Sequence, residues 1–252
     1  MAIDFVNRWL ERKDSLRSFF NPVTILLIVV MAYSSISSGR FNSPMDWFII
    51  TVLTLPGIFI ALSFHEFAHA FTAYKLGDQT PRFQKRVTLN PARHMDLFGF
   101  LCLVFIGFGW GKPVMINPQN FKNPRRDGLL VSLAGVTMNL FLAFLLGAIL
   151  AIYVKTAPMF VQTYIGDVIL NMILFAIRIN LILMIFNLIP IPPLDGFNAV
   201  TEIFNIKRTE LYYKIYQNGF VILLVLILLD AISVIFKYTV TPMFYSILRF
   251  FL

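Results

Sequence analysis

Residues 47–74 form an apolar run long enough to cross a bilayer, and His65, Glu66 and His69 lie inside it. Crossing takes about 20 apolar residues. In hydrocarbon the backbone amides must be satisfied within the segment, so such a run has to fold as a helix. On a helix, residues i and i+4 lie one above the other on one face. That brings the two imidazoles together with Glu66 beside them. The spacing suits two ligands of one zinc ion and a general base for a bound water. Two histidines and a glutamate in an apolar span are costly unless partnered or given a task. A membrane helix with stray polar residues is the bland alternative. At membrane depth the constellation points to hydrolysis of a peptide bond.

The rest of the chain agrees with a membrane setting. Hydrophobic residues make up 58% and charged residues 13%, against about 45–50% and about 25% in soluble domains. Cys102 is the single cysteine, which excludes an intrachain disulfide and a cysteine-based zinc site. A zinc ion would have to be held by His and carboxylate. The net charge of +8 reports loop topology here and not nucleic-acid binding. The opening Met-Ala-Ile-Asp-Phe lacks the basic-then-apolar order of a signal peptide.

The expected fold is an all-α polytopic membrane protein with five to six spans. Residues 1–20 form a cytoplasmic amphipathic segment, with Trp9, Leu10, Phe19 and Phe20 among charges. Residues 21–252 form one membrane domain. The spans are residues 22–37, 47–74, 129–154, 168–190 and 218–236, with 239–252 a short sixth candidate containing Pro242. Sixteen Lys and Arg fall in the N-terminal segment and the loops on its side, against Arg40, Lys155 and Lys237 on the other. The N-terminus is therefore cytoplasmic, and His65 lies toward the cytoplasmic side. Residues 97–110 are apolar but too short to span, and with Gly99, Gly107 and Gly109 they are poor as a helix. They suggest a re-entrant or hairpin element near the active site, or a surface loop dipping into the interface.

A zinc site open to water needs a third protein ligand. Asp195 follows Pro190, Pro192 and Pro193 at the cytoplasmic end of the fourth span. The prolines end the helix, and Gly196 lets the chain turn after the carboxylate. A proline-rich turn with an Asp helix cap is the structural alternative. His94, in the basic loop, is a rival ligand or an orienting group.

These residues resemble the site-2 proteases, intramembrane zinc metalloproteases, and most of all their compact bacterial and archaeal branch without PDZ or CBS domains. The resemblance rests on His65-Glu66-x-x-His69 and on Asn187-x-x-Pro190-x-x-Pro193-Leu194-Asp195-Gly196. Between them lie Arg86–Pro91, Gly109–Val114, Phe121–Arg126 and Ala134-Gly135-Val136-x-x-Asn139. Val136 stands where that branch usually has Pro. The resemblance implies one zinc per chain, held by His65, His69 and Asp195, with Glu66 as general base. It implies that Asn187 holds a substrate strand or the oxyanion. Asn139 is a second candidate for hydrogen bonding near the site, or a helix–helix contact. Substrates would be single-span membrane proteins in a prokaryotic cytoplasmic membrane. Monomer and homo-oligomer both remain open.

In such a mechanism the substrate must be locally unwound, and residues 97–110 could pair with the extended strand. A divalent-metal transporter is the rival from another class, since intramembrane His and Asp suit an ion path. One such motif offers no ladder of further ligands. A catalytically silent binder of membrane proteins is a third reading, and the intact Glu66 speaks against it. Arg178, inside the fourth span, could pair with Asp230 or Asp167, snorkel, or touch substrate.

Overall fold

The computed structural model describes Tyr33 and residues 43–106, 109–207 and 209–252. The amphipathic segment expected at 1–20 and the first expected span at 22–37 lie outside the described residues. Among those described, the architecture is helical, without strands. The long elements are α1 (Pro44–Lys75), α5 (Pro124–Thr156), α7 (Tyr164–Leu188) and α9 (Glu210–Leu228). Shorter ones are α2 (Thr80–Phe83), α3 (Pro91–His94), α4 (Leu97–Ile106), α6 (Pro158–Val161), α8 (Asp195–Phe204), α10 (Ala231–Tyr238) and α11 (Val240–Phe251). Among the described residues, five stretches are long and apolar enough to cross a membrane: α1, α5, α7, α9 and the pair α10–α11. The chain is an integral membrane protein.

Sequence and structure part company after α8. The expected span 218–236 straddles a break. α9 begins earlier, at Glu210, where the Thr209 hydroxyl accepts the Tyr212 amide as a cap. It ends at Leu228, and Asp230 takes a left-handed conformation (φ 56°) that turns the chain. The expected sixth element joins α10 to form the fifth candidate span, Ala231–Phe251. Pro242 falls in the first turn of α11, where its missing amide costs no helical bond.

The described residues fall into two compact units, one within 52–95 and 112–252, the other within 43–51 and 96–111. In the first, α5, α7 and α11 share a core of Val136, Ala143, Leu150, Ile177, Leu181, Met184, Val240 and Ile247. Small residues bring backbones close: a Cβ on Gly57 of α1 would lie 2.7 Å from the Ala176 Cα of α7. This is how membrane helices gain packing where water supplies no hydrophobic drive.

In the second unit, residues 97–106 are helical, contrary to the sequence expectation. Asp96 Oδ1 accepts the Gly99 amide at 2.8 Å, so Gly99 sits in a capped first turn and does not interrupt the helix. The chain then returns, with Trp110 packed on Phe98 (ring centroids 5.8 Å apart). The element is a hairpin of helix and return. The amides of 97–106 are used by their own helix, which withdraws that stretch as a pairing strand for substrate.

Candidate metal centre

Three side chains from two elements converge. His65 and His69 stand one turn apart on the buried face of α1. Asp195 is the first residue of α8, delivered by the turn at 189–194 that follows α7. Asp195 Oδ2 lies 3.1 Å from Nε2 of both histidines, and the two Nε2 atoms are themselves 3.1 Å apart.

The other ring nitrogens decide what those atoms carry. His69 Nδ1 lies 2.7 Å from the Val131 carbonyl, which can only accept. His65 Nδ1 lies 2.6 Å from Asn139 Oδ1. Both rings therefore donate from Nδ1 and present a lone pair at Nε2. Two lone pairs and a carboxylate oxygen aimed at one point repel each other unless a cation sits among them. A single proton bridges two acceptors, whereas a divalent ion serves all three. Donors about 2.0–2.1 Å from a tetrahedral zinc lie roughly 3.3–3.4 Å from one another, so the trio fits that ion.

α5 closes the back of the site. A Cβ on Gly135 would stand 2.6 Å from His65 Cε1 and 2.7 Å from its Nδ1, and would also meet His69 Nε2. Any side chain there would push the two rings aside. Gly196 likewise serves close approach: a Cβ would run into the Leu188 carbonyl. Its φ is not positive, which corrects the expectation that it supplies a special turn conformation.

Glu66 Oε2 accepts the Val114 amide at 3.2 Å. The segment bearing Val114 is pinned just before it. Lys112 N–H donates to the His94 carbonyl at 2.7 Å, and the Arg86 guanidinium donates to the carbonyls of Pro113 and Arg93. His94 is buried, with Nε2–H donating to the Thr88 carbonyl at 2.7 Å. It stands outside the trio of prospective ligands and organises the loop, so the rival ligand falls away.

Asn139 is fully buried. Both its amide hydrogens are spent, on the Ala61 carbonyl at 3.1 Å and on Asn180 Oδ1 at 3.0 Å. No donor remains for an oxyanion, and its contact is with His65. Asn187, half-buried near the end of α7, donates back to the Leu183 carbonyl. Arg178 is exposed, and among the described residues it forms no ion pair with Asp230 or Asp167. The sequence does not single out Asn180, the Val114 amide or the Val131 carbonyl. Only Asn180, a buried amide inside an apolar span, leaves any mark there.

Known proteins match this chain. Residues 158–229 match Peptidase family M50. The chain is 36% identical to "Putative zinc metalloprotease YwhC" of Bacillus subtilis (strain 168) over 184 residues, covering 73% of this chain and 81% of that protein. It is 32% identical to "Putative zinc metalloprotease Rip2" of Mycobacterium tuberculosis (strain ATCC 25618 / H37Rv) over 202 residues, covering 78% and 74%. No solved structure matches. The His-His-carboxylate trio and these relatives agree: the chain belongs to peptidase family M50, the site-2 proteases, and is a membrane-embedded, zinc-dependent metalloendopeptidase.

Proposed function

We propose that this protein cleaves single-span membrane proteins, with zinc held by His65, His69 and Asp195 and with Glu66 as general base. The observation that carries the reading is the convergence of two imidazole lone pairs and one carboxylate oxygen at 3.1 Å separations. His65, His69 and Asp195 would hold the zinc ion, which when bound would lower the pKa of a water and polarise a carbonyl. Glu66 takes the water's proton and later delivers it to the leaving amine. The Val114 amide holds Oε2, which leaves Oε1 to carry that proton. Asn187, with one amide hydrogen turned back onto its own helix, offers the rest of its carboxamide to a substrate strand or the oxyanion. The substrate must unwind locally, because a helix keeps its carbonyls bonded internally.

The charge asymmetry of the loops supports a cytoplasmic N-terminus and a site facing the cytoplasmic side of a prokaryotic membrane. Residues 21–252 then act as one protease domain behind an amphipathic segment.

The test is cleavage of a tagged single-span substrate by the purified protein and by Glu66→Gln, with zinc counted in both. We expect turnover to fall by about 10²–10⁴-fold while zinc stays at one per chain. Equal cleavage by both forms would remove Glu66 as the base. A protein that takes up no zinc would remove the metal site.

A further inference from the structure

A chain of side-chain hydrogen bonds crosses the helix packing and ends on His65. It starts at Asn180 of α7, which is fully buried. Asn180 Nδ2 donates to the Ala176 carbonyl at 2.9 Å. Its Oδ1 is thereby turned toward Asn139 and accepts from Asn139 Nδ2 at 3.0 Å. The second hydrogen of that amide goes to the Ala61 carbonyl at 3.1 Å. Both donors of Asn139 thus point away from His65, and Oδ1 is the atom left 2.6 Å from His65 Nδ1.

Polarity makes this chain more than packing. Turned end for end, the Asn139 amide would press N–H against His65 Nδ1 and drive the ring proton to Nε2. That atom faces Asp195 and His69, and with a proton on it the ring cannot bind a metal there. His69 carries no such ambiguity, because its Nδ1 meets a backbone carbonyl.

We infer that Asn180 is a positioning residue for the metal: together with the Ala61 carbonyl it holds the Asn139 amide in one orientation and so keeps the lone pair of His65 on Nε2. The inference rests on the reading that His65, His69 and Asp195 bind zinc. A buried Asn pair can also serve simply as glue between membrane helices. Glue needs a partner but no particular polarity, and that difference can be measured.

The chain has three histidines, so ¹⁵N-histidine spectra of the full-length protein are tractable. The bonding partners assign Nδ1–H to His65 and His69 and Nε2–H to His94. Zinc affinity is read by chelator competition on the same preparations. Asn180→Leu removes the acceptor, whereas Asn180→Asp keeps an acceptor oxygen toward Asn139. We expect Asn180→Leu to weaken zinc binding about 10–100-fold, as loss of an outer-shell partner does. It should disturb one of the two Nδ1–H rings and leave the other unchanged as an internal control. Asn180→Asp should stay within about threefold of wild type, well short of that loss.

The inference is overturned if wild type lacks two Nδ1–H rings, if Asn180→Leu binds zinc as wild type does, or if both variants lose zinc equally with both rings disturbed. Should Asn180→Leu fail to fold, the wild-type spectrum and the Asn180→Asp affinity still decide. Wild type that binds no zinc, or His65→Ala that binds it unchanged, strikes the metal site itself and not the role of Asn180.

Discussion

The two sequence neighbours His65 and Glu66 are held from opposite kinds of surroundings. Behind His65 lie α5 and α7, where apolar side chains dominate and a single thread of amides runs from Asn180 through Asn139 to the ring. Beside Glu66 lies the loop of residues 76–95 and 112–123, organised by polar side chains on backbone groups: Asp78, Arg86, His94 and Asn117. In the helix interior shape fixes position, and each polar contact adds direction. In the loop, side chains bonded to backbone groups carry the turns, beside a small apolar cluster in which Leu76, Ile116 and Phe121 pack on Ala73 and Val131. Perturbing the first region should therefore act on the metal, and perturbing the second on the base.

Gly135→Ala breaks the helix side most directly. An exposed helical Gly→Ala change stabilises by about 0.5–1 kcal/mol. Here the added methyl would stand 2.6 Å from His65 Cε1, and overpacking of this kind costs about 1–3 kcal/mol. The sign reverses, and the loss falls on the site. Zinc affinity should drop about 5–150-fold, the equivalent of that cost, with the helices still formed by circular dichroism. Unchanged affinity would mean that α5 yields, and that shape does not fix the rings.

Val114→Pro probes the loop side. It deletes one amide donor to Glu66 and touches no prospective ligand. A hydrogen bond to a charged group contributes about 1.5–3 kcal/mol, and only part of that bears on the base's alignment. Turnover should fall about tenfold with zinc content unchanged, the reverse of the Gly135→Ala signature. Loss of zinc together with turnover would erase the contrast between the two regions.

The same contrast governs what could be read from sequence. α1, α5 and α7 enclose or closely overlap the expected spans because long apolar runs leave a helix little choice. The spacing of His65 and His69 on one face follows from the helical period alone. Asp195 was legible only as a candidate, since its contact with His69 spans 126 residues and depends on how α7 and α8 meet. The break at Asp230 lay inside an apolar stretch, so hydrophobicity ran through it. Residues 97–106 are helical despite Gly99, because Asp96 makes that glycine part of a cap, and a side-chain cap three residues upstream is weaker in sequence than a glycine. The Val114 amide could not be foreseen at all, because a backbone donor leaves no trace in residue identity.

The smallest effect should come from Asp78, which anchors the far end of the loop. Fully buried, it accepts four hydrogen bonds: from the Thr80 amide and hydroxyl, the Asn117 amide and the Asn120 side chain. Burial pushes its carboxyl up, but the donors from Thr80, Asn117 and Asn120 prevail and hold it below the ordinary carboxylate range. A depressed folded value means that the ionised form stabilises the fold. That contribution is complete above the unfolded value of about 3.9 and is lost as pH falls through the folded one. Amide exchange at Thr80 and Asn117 should therefore be slow at neutral pH and accelerate only below about pH 4. Asp78→Asn can accept at one oxygen only, and its amide must then face a donor. It should expose those amides at every pH, by about 1–3 kcal/mol, with a flatter acid profile than wild type. Asn117 lies three residues beyond Val114, so turnover should fall only a few-fold, less than for Val114→Pro. A larger loss than that would mean the loop moves as one body, with Asp78 and not the Val114 amide as its controlling attachment.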